Sequence, residues 1–194
     1  MRGARGWGCL ALCLDGPGQG AEPLRAVMNL EHQVLDPILT TATVTRALGY
    51  MIYDMMIAMD SKGEYHPQML ESWKTSDDRM TWTMTLRPGL TWHDGAAVTP
   101  EDCIASIKRW AQMDAFGKRM MAATAELRVV DDRSFQIVLS RPFAFVIEAL
   151  GKPNALLPVM MPARMAASPA TKAVVETIGS GPFTFNRNEW RPGD

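Results

Sequence analysis

The sequence predicts a mixed α/β fold in which antiparallel hairpins and amphipathic helices share one core. Three observations predict it. Residues 80–86 alternate with a strict period of two, Trp82, Met84 and Leu86 on one side and Thr81, Thr83 and Thr85 on the other, the pattern of a half-buried strand. Thr99, Pro100, Glu101 and Asp102 then open a helix whose apolar stripe is Cys103, Ile107 and Trp110. Further on, two apolar segments, 127–130 and 135–139, are joined at Asp131-Asp132 as a hairpin.

The elements follow in order. Residues 24–30 are short, apolar-rich and preceded by Pro23, and are expected to form a strand. Leu35-Asp36-Pro37 forces a turn, because proline fixes its own φ and pushes the preceding residue towards extended geometry. The hydroxyl-rich residues 40–45 lead into a helix with Leu48, Met51, Ile52 and Met55 on one face. Residues 60–63 are a turn. After the alternating strand, Arg87-Pro88-Gly89 has proline and glycine in the order a type II turn requires, and His93-Asp94-Gly95 makes a second turn. Phe143, Val146, Ile147 and Leu150 mark another helical face, stopped by Gly151. Residues 171–178 are expected to form a short helix, 179–182 a sharp break, and 183–185 the start of a strand that returns towards the first.

Composition narrows the function classes. Apolar residues at 47% and charged residues at 21% are ordinary for a water-exposed globular domain. A net charge of −1 without a basic stripe argues against a nucleic-acid partner. No run of 18 apolar residues occurs, so no membrane-spanning helix is expected. The 15 methionines fit core filling, with an adaptable binding surface as the sharper alternative. Residues 1–21 have the outline of a secretory leader (Arg2 and Arg5, an apolar stretch at 7–14, Gly20-Ala21) or of an unstructured N-terminus. Cys9 and Cys13 lie within it, so its removal would leave Cys103 alone and no disulfide framework.

A search for chemistry finds no catalytic constellation. His93-Asp94 is an adjacent histidine–carboxylate pair, and a hydrolase would have to combine it with a nucleophile such as Cys103. No G-x-S-x-G elbow exists, Cys103 falls on an apolar helix face, and His93 suits a turn or sheet edge. His32, His66 and His93 are widely spaced, so neither a zinc site nor any cofactor is expected. Gly179-Ser180-Gly181 lacks a Walker lysine, and Pro182 removes an amide donor.

A series of segments resembles the extracellular solute-binding proteins of family 5, the dipeptide, oligopeptide and nickel type. They are Leu35-Asp36-Pro37, Tyr53-Asp54 with 59–63, PQMLESWKTSDD at 67–78, TWTMTLRPGLTWHDG at 81–95, VTPEDCIASIKR at 98–109 and IGSGPF at 178–183. They stand in the family's order and spacing. The resemblance implies a periplasmic-binding-protein-like fold, here the N-terminal lobe of a bilobed receptor with an inserted subdomain rich in β-hairpins. It implies first-lobe segments at 22–45 and 171–194 around an insert at 46–170. It also implies no enzymatic role, but a monomeric periplasmic receptor that binds a peptide or other small molecule and delivers it to the membrane permease of an ATP-binding-cassette (ABC) importer. The sequence stops at Asp194, soon after the last expected strand begins, which predicts an interrupted protein, a fragment or a truncated product, whose transport role would then fall away. Ligand-contact candidates are Asp36, Thr40, Thr41 and Thr43 in the loop after the first strand, Tyr50 as an aromatic wall, and Ser180 and Gly181 at the crossover. The plainer role for each is turn or helix-start structure.

Overall fold

The computed structural model describes residues 34–189. The expected leader, the strand at 24–30, Cys9, Cys13 and His32 lie outside the described residues, as do 190–194. The element order is α1 (Thr43–Ile52), β1 (Ile57–Met59), β2 (Tyr65–Pro67), β3 (Leu70–Thr75), β4 (Thr81–Leu86), α2 (Pro100–Met113), α3 (Ala115–Ala123), β5 (Thr124–Val129), β6 (Ser134–Leu139), α4 (Val146–Leu150) and α5 (Ala163–Ala166).

The centre is a four-stranded antiparallel sheet in the order β3-β4-β6-β5. In β4 the period of two holds as expected: Trp82, Met84 and Leu86 are buried and the three threonines are half-buried. The register sets Trp82 against Ile137 and Met84 against Phe135, so large apolar side chains of adjacent strands share the core face. Gly89 and Gly95 have φ of 74° and 85°, the left-handed geometry these turns need. β1 and β2 form a separate hairpin, linked to the sheet where the amides of Met69 and Leu70 donate to the carbonyls of Met55 and Met56.

Helix α2 starts as its sequence dictates. The Thr99 hydroxyl accepts from the Asp102 amide, Asp102 accepts in return from the Thr99 amide, and Pro100 occupies the first turn. Asp102 also accepts from the Trp92 indole at 3.1 Å and the Ala163 amide at 2.7 Å, so the cap ties the β4–α2 loop to α5. Cys103, Ile107 and Trp110 are fully buried, and the helix packs on α3 and α5. Many methionines fill this interior, among them Met56, Met69, Met84, Met120, Met160 and Met161.

Three expectations need correction. Residues 171–178 do not form a helix. The segment is rich in β-branched residues, and its backbone is tied to distant side chains: Arg109 donates to the Lys172 carbonyl, the Val174 amide donates to Asp36, and Arg187 donates to the Val175 carbonyl. Residues 183–185 do not form a strand, because the Gly181 and Phe183 amides donate instead to the carbonyls of Ile52 and Met51. The buried face of α1 is Val44, Thr45, Gly49 and Ile52; Met51 is exposed and Met55 lies beyond the helix.

Candidate ligand-binding junction

Helix α1 leaves its last carbonyls without partners inside the helix, as every helix must. Here the glycine crossover supplies them. The Gly181 amide donates to Ile52 O at 2.9 Å and the Phe183 amide to Met51 O at 3.0 Å. The approach is too close for a side chain: a Cβ on Gly179 would sit 2.0 Å from Ile52 O, and one on Gly181 2.7 Å from Met51 O. Glycine is required at both positions by contact, not by φ.

His93 fixes the crossover from the other side. Its amide donates to Gly179 O at 2.9 Å, its Nδ1 accepts from the Gly179 amide at 3.3 Å, and its Nε2 lies 2.8 Å from Gly181 O. A carbonyl can only accept, so Nε2 carries the proton and the ring is neutral in this arrangement. Ser180 donates to Asp54 Oδ2 at 3.0 Å, and Gln68 donates to Asp54 Oδ1 at 2.8 Å. Partial burial raises the Asp54 carboxyl above its ordinary range, against the lowering effect of the Ser180 and Gln68 hydrogen bonds.

The sequence candidates separate into distinct environments. Ser180 and Gly181 meet at this junction with Asp54, Gln68 and His93. Thr41 and Thr43 are exposed at the N-terminal end of α1, about 15 Å of helix away. The Thr40 hydroxyl accepts from the Ala42 amide and so shapes the helix start. Tyr50 is 41% exposed, and its hydroxyl donates to Pro153 O at 2.7 Å. Asp36 is the exception: its side chain is fully buried, bound to Arg109 and to the Ile38 and Val174 amides, with no surface for a ligand. Sequence reasoning missed Asp54, Gln68 and the clamping role of His93. The one local signal was the odd adjacency of His93 to a turn aspartate.

His93, Asp94 and Cys103 are engaged separately. Asp94 accepts the Ala96 amide and pairs with Arg164, which together lower its carboxyl from the ordinary range. Cys103 is fully buried, and that burial pushes its thiol up, away from the reactive thiolate.

The fold is shared with solved solute-binding proteins. The chain belongs to the bacterial extracellular solute-binding proteins, family 5 Middle, whose family model matches residues 64–194. It is 41% identical over 167 residues to the probable peptide ABC transporter periplasmic-binding protein y4tO of Sinorhizobium fredii, covering 86% of this chain and 31% of that one. It is 26% identical over 170 residues to the probable D,D-dipeptide-binding periplasmic protein DdpA of Escherichia coli, covering 84% of this chain and 33% of that protein. Among solved structures it is similar to AgaA of A. tumefaciens R10 in complex with agropinic acid, at a TM-score of 0.66 and 27% identity over 82% of this chain and 32% of that one. The dipeptide-binding protein of Pseudoalteromonas sp. SM9913 shares the fold at a TM-score of 0.69 and 19% identity, over 84% of this chain and 36% of that one. The chain thus spans about a third of the length of the curated relatives it matches.

Proposed function

We propose that this chain supplies part of the first lobe of a periplasmic receptor that binds a peptide or similar small solute and hands it to the permease of an ABC importer. The observation that carries the reading is the crossover at Gly179, Ser180 and Gly181. It is locked onto the end of α1 by paired backbone hydrogen bonds and by His93. Such a rigid backbone junction can present peptide groups and the Asp54–Ser180 pair to a ligand held between lobes. Exposed Tyr50, Met51 and Phe183 surround it and would face a ligand or a second lobe. Thr40, Thr41 and Thr43 would contribute from the other end of α1.

In this reading 22–45 and 171–194 belong to the first lobe and 46–170 is the inserted subdomain. The hydrogen bond from the Val174 amide to Asp36 supports the pairing of the two outer segments. The receptor acts as a monomer, needs no cofactor and leaves its ligand chemically unchanged. The relatives named above are transport binding proteins, which supports that role over an enzymatic one. The test is calorimetric titration of the protein at its full natural length with di- to nonapeptides, followed by chromatography of the recovered peptide. Saturable binding with intact peptide is expected; cleaved peptide would overturn the reading.

A further inference from the structure

A second concave surface shares no residue with the junction. A cleft of about 380 Å³ opens between the β3–β4 turn and the segment linking β6 to α4. That volume lies towards the lower end of the range for small-molecule sites. Trp82, Pro142, Phe143 and Ala144 form its apolar walls. Phe143 is held by ring contacts with Phe116 and Phe145, at centroid distances of 5.9 and 6.2 Å. Trp82 is 8% exposed, and its indole Nε1–H is buried with no hydrogen-bond partner among the described residues. Folded chains rarely leave a buried donor in this state, so the wall lacks an acceptor.

Two opposite charges complete the lining. Asp78 and Arg79 are adjacent and exposed, yet they do not pair with each other. Asp78 Oδ1 accepts the Ser76 hydroxyl at 2.6 Å and the Met80 amide at 2.9 Å, and no other residue donates to its second oxygen among the described residues. The Ser76 hydrogen bond, followed by that from the Met80 amide, holds this carboxyl below its ordinary range, so it is ionised at neutral pH. The Arg79 guanidinium has neither a hydrogen bond nor an ion pair among the described residues. We propose that this cleft binds a small aromatic zwitterion, of which an aromatic α-amino acid is the simplest. The ring lies against Trp82, Pro142 and Phe143, the carboxylate meets Arg79 and the ammonium meets Asp78. A purely apolar ligand would leave both charges unanswered. A ligand with one charge would meet its partner beside a like charge, so complementarity selects the molecule that carries both.

L-phenylalanine is the probe, titrated into the isotope-labelled 194-residue chain and followed by amide and indole N–H resonances. A saturable shift of the Trp82 indole resonance is expected, with backbone shifts centred on residues 78–82 and 142–144. Phenylacetate lacks the ammonium, phenethylamine the carboxylate and glycine the ring; each should bind at least about tenfold more weakly. Asp78→Asn keeps Oδ1 as an acceptor for the turn, and Arg79→Gln removes only the charged head. Both are exposed changes, with the fold confirmed by circular dichroism, and each should weaken L-phenylalanine binding at least about tenfold. No saturable shift up to the solubility limit of the probe, shifts centred on other residues, or undiminished binding in both variants overturns the site. Equal binding of phenylacetate or phenethylamine overturns the zwitterion.

Discussion

Arg109 Nη2 and Asp36 Oδ2 meet at 2.9 Å, with both side chains wholly out of water. The pair joins the middle of α2 to the turn before α1, and Arg109 adds the Lys172 carbonyl while Asp36 adds the Val174 amide. The pair and its hydrogen bonds thus tie the turn before α1 and residues 172–174 to α2. Arg109 Nε and Nη1 and the Tyr53 hydroxyl are buried without hydrogen-bond partners among the described residues, so the described cluster has no spare acceptor to compensate a loss. Asp36→Ala should lower stability by about 3–5 kcal/mol, because it strands a buried guanidinium. Urea unfolding checks this, and the double variant Asp36→Ala/Arg109→Met should cost less than the sum of the two single changes.

The crossover depends on contact distance. Gly179→Ala places a methyl group against the Ile52 carbonyl, so the crossover must move. The expected cost is about 1–3 kcal/mol. Hydrogen exchange at the Gly181 and Phe183 amides should accelerate while exchange in β4 stays slow.

His93 tests clamp against catalyst. His93→Phe removes both ring hydrogen bonds to the crossover and should cost about 1–3 kcal/mol. Nitrogen chemical shifts of the wild-type ring should show the neutral form protonated at Nε2. A reaction abolished by His93→Asn with stability unchanged would contradict this role.

The Asp54 carboxyl gives a pH signature. Its folded pKa is raised, so the folded state holds a proton that the unfolded state releases first. Its contribution to stability is therefore fully present below the ordinary value of 3.8 and is lost as pH rises through the higher folded value. Asp54→Asn should remove that component. The stability difference between variant and wild type should shift in favour of the variant as pH rises above 3.8, in urea titrations run at successive pH values.

The helix cap offers a graded comparison. Thr99→Ala loses one capping bond and should cost about 1 kcal/mol. Asp102→Ala frees the Trp92 indole and the Thr99 and Ala163 amides together, and should cost more.

What was legible in the sequence was local. The alternation of β4, the glycine turns at 89 and 95, the Thr99–Pro100 start of α2 and the β5–β6 hairpin all follow from neighbours within a few residues. Helix α4 formed, although Phe143 lies before its first turn. The short strands β1, β2 and β3 escaped, being only three to six residues long with mixed burial. Helix α3 escaped as well, since its start rests on Asp114 accepting the Phe116 and Gly117 amides directly after α2 ends. Segment 171–185 failed because its geometry is set by Asp36, Arg109, Ile52 and Met51, all distant in sequence. The site was half legible for the same reason. The glycines at 179 and 181 signalled close approach, but only the fold brings Asp54, Gln68 and His93 to them.

The most direct test of a receptor role is peptide binding by the protein at its full natural length, measured by calorimetry beside a Gly181→Val variant. The account predicts saturable binding of one peptide per chain, recovery of that peptide intact, and marked weakening in the variant, whose crossover can no longer seat on Ile52. No binding at millimolar peptide, or binding untouched by the substitution, would contradict it.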